Sequence, residues 1–199
     1  IKESLEYAES LGMSVNIYLE DWSNGMIHSP EYVYYMLDNL AQTSIKRFML
    51  PDTLGVLYPK ETYKYCKEIR ARYPNLHFDF HGHNDYGLAV ANSTAALTAG
   101  FNGVHTSVNG LGERAGNTPL STIVPCIHDH LKMLTTVQEI SLNKISKIVE
   151  TISGVRVASN MPIIGENVFT QTAGVHADGD KKGDLYCNEL IPERFGRVR

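Results

Sequence analysis

The stretch Leu76-His77-Phe78-Asp79-Phe80-His81-Gly82-His83 decides how this chain reads. Side chains alternate between the two faces of a strand, so residues two apart point the same way. His77, Asp79, His81 and His83 therefore share one face, and Phe78 and Phe80 share the other. The aromatic face suits packing on helices. The opposite face gathers imidazoles and a carboxylate, groups that are costly to bury without partners. Two imidazoles at i and i+2 of a strand can grip one divalent metal ion. The plain alternative is a pair of exposed loop histidines.

The sequence on either side repeats the plan of strand, loop and helix. Ser14 to Leu19 alternates, with Val15, Ile17 and Leu19 apolar and Asn16, Tyr18 and Glu20 polar or amphipathic. Ser29-Pro30 then predicts a helix start, serine as the cap and proline at the first helical position. A second strand runs from Arg47 to Leu50 and ends at Pro51-Asp52-Thr53, and Pro59 opens a helix to about Tyr73. After the histidine strand a helix is expected from about Gly87 to Ala99, then a fourth strand from Gly103 to Val108. Thr118-Pro119 opens another helix. Successive strand ends at Glu20, Asp52, His81 and Thr106 lie 32, 29 and 25 residues apart, the length of one βα unit. Each end carries polar groups: Glu20-Asp21, Asp52-Thr53, His81 with His83, and Thr106-Ser107 with Asn109. Functional groups at the C-terminal ends of successive parallel strands are the habit of the TIM barrel. The expected fold is α/β: four βα units forming half of a (β/α)8 barrel over residues 1–135. A small α/loop subdomain follows over 136–199. Ile145, Ile148, Val149 and Ile152 mark an amphipathic helix there, and Gly154 onward reads as rich in loops.

Composition narrows the function classes. The chain has 199 residues, 43% of them hydrophobic, and a net charge of −4. No basic run points to nucleic acid, and no apolar stretch is long enough to span a bilayer. Three cysteines, Cys66, Cys126 and Cys187, lie far apart with no CxxC spacing, which fits a reducing, cytoplasmic setting. No signal-peptide pattern is present. The chain opens on Ile1 in what reads as a helix already under way, as if cut from inside a larger protein.

Two runs carry a resemblance. Phe78-Asp-Phe-His81-Gly-His83-Asn84-Asp85-Tyr-Gly87-Leu-Ala89 is followed by Asn109-Gly110-Leu111-Gly112-Glu113-Arg114-Ala115-Gly116-Asn117. Together they resemble signatures of the 2-isopropylmalate, homocitrate and citramalate synthase family. The resemblance covers essentially the whole chain. It implies the second half of a TIM barrel, an acyltransferase activity and a place in branched-chain amino-acid (leucine or isoleucine) biosynthesis.

The resemblance also assigns residues. The metal ligands would be His81, His83 and Asn117. A further Asp is expected from an Arg-Asp-Gly motif that does not occur in this sequence. The metal would be Mn, Zn, Co or Mg. The implied reaction is a Claisen condensation of acetyl-CoA with a 2-oxo acid. Glu20 and His176 would be the catalytic pair, and Thr53 would hold the carboxylate of the oxo acid. Asp178, Asp184, Leu185 and Tyr186 would line the acyl-CoA and close the site. Tyr18 stands two positions before Glu20, where isopropylmalate and homocitrate synthases commonly carry a small residue. Its bulk favours pyruvate as substrate and citramalate as product, over 2-oxoisovalerate or 2-oxoglutarate. A homodimer is implied for the full-length form, and the isolated fragment is expected to be inactive.

Blander readings stand beside these. Glu20-Asp21 could be a solvated strand end, and His176 a structural residue in a glycine-rich loop. Glu113-Arg114 reads as a local ion pair, and Asp79 as part of a buried hydrogen-bonding layer. His105 shares parity with Ser107 and so looks toward the barrel interior. Tyr32, Tyr34 and Tyr35 read as helix packing. The related lyases that cleave hydroxymethylglutaryl-CoA carry a cysteine in the glycine-rich loop; Gly110 to Gly116 has none, which favours a synthase. A non-catalytic half-barrel binding module is the alternative of a different class.

Overall fold

A computed structural model describes residues 1–171, 173–183 and 188–198. The chain divides into two compact units, Ile1–Pro119 and Leu120–Arg199.

The first unit is a parallel sheet of four strands in the order β1-β2-β3-β4. The strands are β1 (Asn16–Tyr18), β2 (Arg47–Asp52), β3 (Phe78–Gly82) and β4 (Gly103–His105). The helices are α1 (Lys2–Ser10), α2 (Trp22–His28), α3 (Pro30–Leu40), α4 (Pro59–Arg72) and α5 (Ala89–Thr98). Sequential neighbours, all parallel and each joined through helix, are the pattern of half a barrel and leave the sheet order unscrambled. The alternation read from the histidine strand governs the packing. Phe78 and Phe80 are fully buried, and with Phe48, Leu50, Leu37 and Ile69 they form the core between sheet and helices. Phe78 stacks on Phe101 at 5.5 Å and meets Phe48 at 5.8 Å, which fixes β2, β3 and the start of β4 against one another.

Local chemistry sets the helix starts, and it departs from expectation in places. α4 begins as read, with Pro59 in its first turn and Glu61 accepting the Tyr58 N–H. α2 was not legible. It starts at Asp21 in a left-handed conformation (φ 57°) and buries Trp22, Ser23 and Met26. Ser29 does not cap α3 with its side chain; it is the sharp junction between α2 and α3. The histidine strand occupies Phe78–Gly82, inside the alternating run; Asn102 accepts the Phe78 N–H and β4 pairs from Asp79 onward. Of the three tyrosines, only Tyr34 packs on the core; Tyr32 and Tyr35 are exposed and stack on each other. Helical spacing explains this, since Val33, Leu37 and Leu40 already occupy the inward face.

The second unit contains α6 (Leu120–Asp129), α7 (Leu142–Ser153) and α8 (Gly174–Lys181). Leu142, Ile163, Ile164 and Phe195 form a small separate core. α7 corrects the expected stripe: Ile145, Ile148 and Ile152 are exposed, and Leu142, Ser146 and Glu150 are buried. Glu150 is held inside because its carboxylate accepts the Val157 N–H at 2.9 Å and pairs with Lys147. Arg194 clamps this unit, with a bidentate pair to Asp129 at 2.9 Å and hydrogen bonds to Glu139. Among the described residues, no helix is long and apolar enough to cross a membrane.

Candidate active site

The polar ends of the four strands gather on the face opposite the core. His81 lies one residue before the end of β3, with its Nε2 3.3 Å from Nε2 of His83. The glycine-rich loop folds back over this pair. Asn84 N–H donates to Gly116 O at 2.9 Å, Thr118 N–H donates to Gly82 O at 3.1 Å, and His83 bridges to Asn117. Glycine is required at two points of the loop. A Cβ on Gly112 would strike the Asn117 side chain, and one on Gly116, at φ +87°, would strike the Gly110 carbonyl.

This donor set suits a metal ion. His81 Nδ1, His83 Nδ1 and Asn117 Oδ1 are buried and have no hydrogen-bond partner among the described residues. Asn117 commits its amide N–H to Leu111 O at 3.4 Å, which leaves the oxygen as the available donor atom. Burial, followed by the neighbouring His83 and His105, pushes the His81 pKa down to about 4, so its ring is neutral with a lone pair to give. Among the described residues, no three His, Cys, Asp or Glu side chains converge as a metal cluster.

A second cluster joins the ends of β1 and β2. Thr53 Oγ1 donates to Glu20 Oε2 at 2.9 Å and accepts the Asp21 N–H at the same distance. The Glu20 charge is felt at His81. Asp52 is fully buried and caps the turn after β2 by accepting the Val56 and Leu57 N–H groups at 2.9 and 3.1 Å. Burial, partly offset by these hydrogen bonds and one from Ser23, raises its pKa. Tyr18 lies across from the histidines, its ring 6.0 Å from that of His81 and its hydroxyl 2.9 Å from His105 Nδ1.

Sequence reasoning missed the main partner of Arg114. The expected contact with Glu113 exists at 3.4 Å, but the guanidinium makes two hydrogen bonds to Asp85, at 2.8 and 3.1 Å, and one to Thr53 O at 2.6 Å. Asp79 is the buried hydrogen-bonding layer expected, bound to His77 at 2.9 Å.

The candidates of the second unit are placed singly. His176 is exposed and lies in helix α8 rather than in a loop, which corrects the glycine-rich reading. Asp178 is exposed and pairs with Lys182 at 2.6 Å. Asp184, Leu185 and Tyr186 lie outside the described residues.

The fold is a four-stranded parallel half-barrel with histidines, an asparagine and a glutamate near its strand ends. The HMGL-like family profile matches residues 1–152, and the chain belongs to that family. It is 36% identical over 199 residues to the "Putative (R)-citramalate synthase CimA" of Methanopyrus kandleri, spanning all of this chain and 38% of that protein. It is equally 36% identical to the homocitrate synthase of Sulfolobus acidocaldarius, spanning 42% of it. The chain thus covers about two-fifths of the curated relatives it matches. A hydroxymethylglutaryl-CoA lyase from Bacillus subtilis superposes with a TM-score of 0.68 at 24% identity, over 78% of this chain and 55% of that one. The enzyme of the same name from Pseudomonas aeruginosa gives 0.66 at 23%, over 78% and 54%. At these identities the likeness speaks for the fold.

Proposed function

We propose that the intact protein is an acyltransferase that condenses acetyl-CoA with a 2-oxo acid, and that pyruvate is the oxo acid and citramalate the product. The observation that carries this reading is the convergence of His81, His83 and Asn117 beside the Glu20–Thr53 pair. When bound by the two imidazoles and the Asn117 oxygen, a divalent cation supplies Lewis-acid polarisation of a keto group. Thr53 holds the substrate carboxylate. Its hydroxyl and the Asp21 N–H lie at the same strand end as Glu20. Glu20 takes part in proton transfer, so that the acetyl methyl loses a proton to a positioned group as it attacks the ketone, and water then releases CoA; His176 is by resemblance the second acid–base residue. Asp178, Asp184, Leu185 and Tyr186 line the acyl-CoA. In this reading residues 1–135 supply half of the barrel. Residues 136–199 begin a connecting subdomain, and the intact protein is a homodimer.

Tyr18 sets the substrate. Its ring stands beside His81. It leaves room for a methyl group and crowds an isopropyl or carboxyethyl group, at a cost of about 1–3 kcal/mol by analogy with overpacked cores. The homocitrate synthases of equal identity keep 2-oxoglutarate as the second reading. Thiol release from acetyl-CoA by the intact protein, with pyruvate, 2-oxoisovalerate and 2-oxoglutarate side by side, tests this. Highest kcat/KM with pyruvate is expected; preference for either larger acid overturns the citramalate reading. Residues 1–199 alone are expected to be inactive.

A further inference from the structure

We infer that Ser93 and Thr118 are positioning residues: their paired hydroxyls, buried behind the strand ends, fix how far Asn117 stands from His81 and His83 and so set the affinity for a divalent cation. The inference rests on the reading of those three residues as a metal site and names a device that adjusts it from outside.

Helix α5 buries polar side chains where apolar ones are expected. Asn92 and Ser93 lie on its inner face with Ala89, Ala96 and Leu97. Polar groups in such a place are costly without partners, and alanine would suit the helix better. Both side chains have partners. Asn92 Nδ2 donates to Leu57 O at 2.8 Å, which anchors α5 to the turn before α4. Ser93 Oγ lies 2.8 Å from Thr118 Oγ1. Thr118 is also fully buried, and it directly follows Asn117 in the chain.

Thr118 is where the glycine-rich loop meets the sheet. Its N–H donates to Gly82 O at 3.1 Å, and its carbonyl accepts the Ser107 N–H at 3.1 Å. The end of β3 and the segment after β4 are thus joined through one residue. Gly82 stands between the two histidines. Thr118 Oγ1 lies 3.4 Å from Gly82 O and 3.4 Å from Ala89 O. Those contacts are long, so the short one to Ser93 holds the hydroxyl. Either oxygen can be the donor, and the pair is kept in both cases. A Cβ on Gly82 would meet Phe80 Cε1 at 2.9 Å and Thr118 Oγ1 at 3.3 Å, so the strand between the histidines is shaped around this side chain. One residue back, Asn117 bridges to His83 and turns its buried Oδ1 to the site. A shift of Thr118 therefore moves Asn117 against the histidines. Ser93 and Thr118 act through Asn117 and are not themselves ligands.

The test uses the intact protein, stripped of metal and titrated with Mn, with free Mn read by electron paramagnetic resonance well below the melting temperature of each variant. Thr118→Val removes one hydroxyl at nearly constant volume, and Ser93→Ala removes the other where alanine suits the helix. Each should raise the Kd for Mn about tenfold, the lower end of what loss of a ligand's supporting partner costs. Thr118→Ser keeps the hydroxyl and should keep the native Kd, even as loss of the methyl group lowers the melting temperature. Both residues act through one bond, so Ser93→Ala with Thr118→Val should bind Mn no more weakly than Thr118→Val alone. A native Kd in both single variants, with only the melting temperature lowered, would make the pair merely structural and overturn the inference. Equal weakening by Thr118→Ser, or losses that multiply in the double variant, would overturn it as well. Should Thr118→Val fail to fold, Ser93→Ala decides: a Kd raised about tenfold supports the inference, and a native Kd overturns it. A native protein that binds no Mn would instead sink the metal reading, and this inference with it.

Discussion

Arg114 and Asp85 tie the two signature runs together. The guanidinium Nε donates to one carboxylate oxygen at 2.8 Å and Nη2 to the other at 3.1 Å. The same Nη2 reaches Thr53 O at 2.6 Å, so one side chain joins the loops after β2, β3 and β4. Bidentate pairs fix orientation as well as distance. Arg114→Ala should loosen the loop that carries Asn117 and weaken divalent-metal binding roughly 10- to 100-fold, as loss of a ligand's supporting partner does. Arg114→Lys should not restore it, because an ammonium cannot reproduce the fork. Titration of the intact protein with Mn measures both.

The imidazole pair makes a sharper forecast. His81→Ala or His83→Ala should abolish stoichiometric divalent-metal binding together with turnover. Elemental analysis after dialysis against Mn reads the first, and thiol release reads the second. A double variant that keeps one metal per chain would remove these residues from the ligand set.

Glu20→Gln should lower kcat by about 10²–10⁴, the usual worth of a positioned acid–base group. Affinity for the oxo acid should change little, since Gln can still accept from Thr53. A change confined to KM would show Glu20 to be a binding residue.

The second unit should be acid-sensitive. Hydrogen bonds from Arg194, ahead of the cost of burial, lower the pKa of Asp129 and of Glu139. Lowered carboxyls contribute stability that is fully present above their unfolded values, about 4, and is lost as pH falls through the folded ones. Protection of residues 120–153 from hydrogen exchange should therefore hold at neutral pH and fall below about pH 4. Arg194→Met should cost about 1.5–3 kcal/mol at pH 7, the range for hydrogen bonds to charged groups. It should also flatten that acid dependence.

The legibility of the chain follows the strength of its local signals. Strict alternation around His81 was readable because Phe78 and Phe80 must face the core and nothing else fits. α2 was not, because it is only seven residues long and starts after Asp21 in a left-handed conformation. The exposed stripe of α7 misled because burial of Glu150 depends on the Val157 N–H, a contact made outside the helix. Glu113 hid the Asp85 partner of Arg114, since adjacency in sequence is visible and a contact 29 residues away is not. The Tyr18–His105 contact spans 87 residues and is legible only as shared parity on two strands.

The most direct test of the central claim follows a carbon atom. The intact protein is supplied with acetyl-CoA labelled with 13C at the methyl carbon, with pyruvate and with Mn, and the products are read by 13C NMR and mass spectrometry. The account predicts the label in a methylene carbon of citramalate, joined to the former keto carbon of pyruvate, with one CoA released per bond formed. Label recovered only in acetate, or only in unreacted acetyl-CoA, would contradict it.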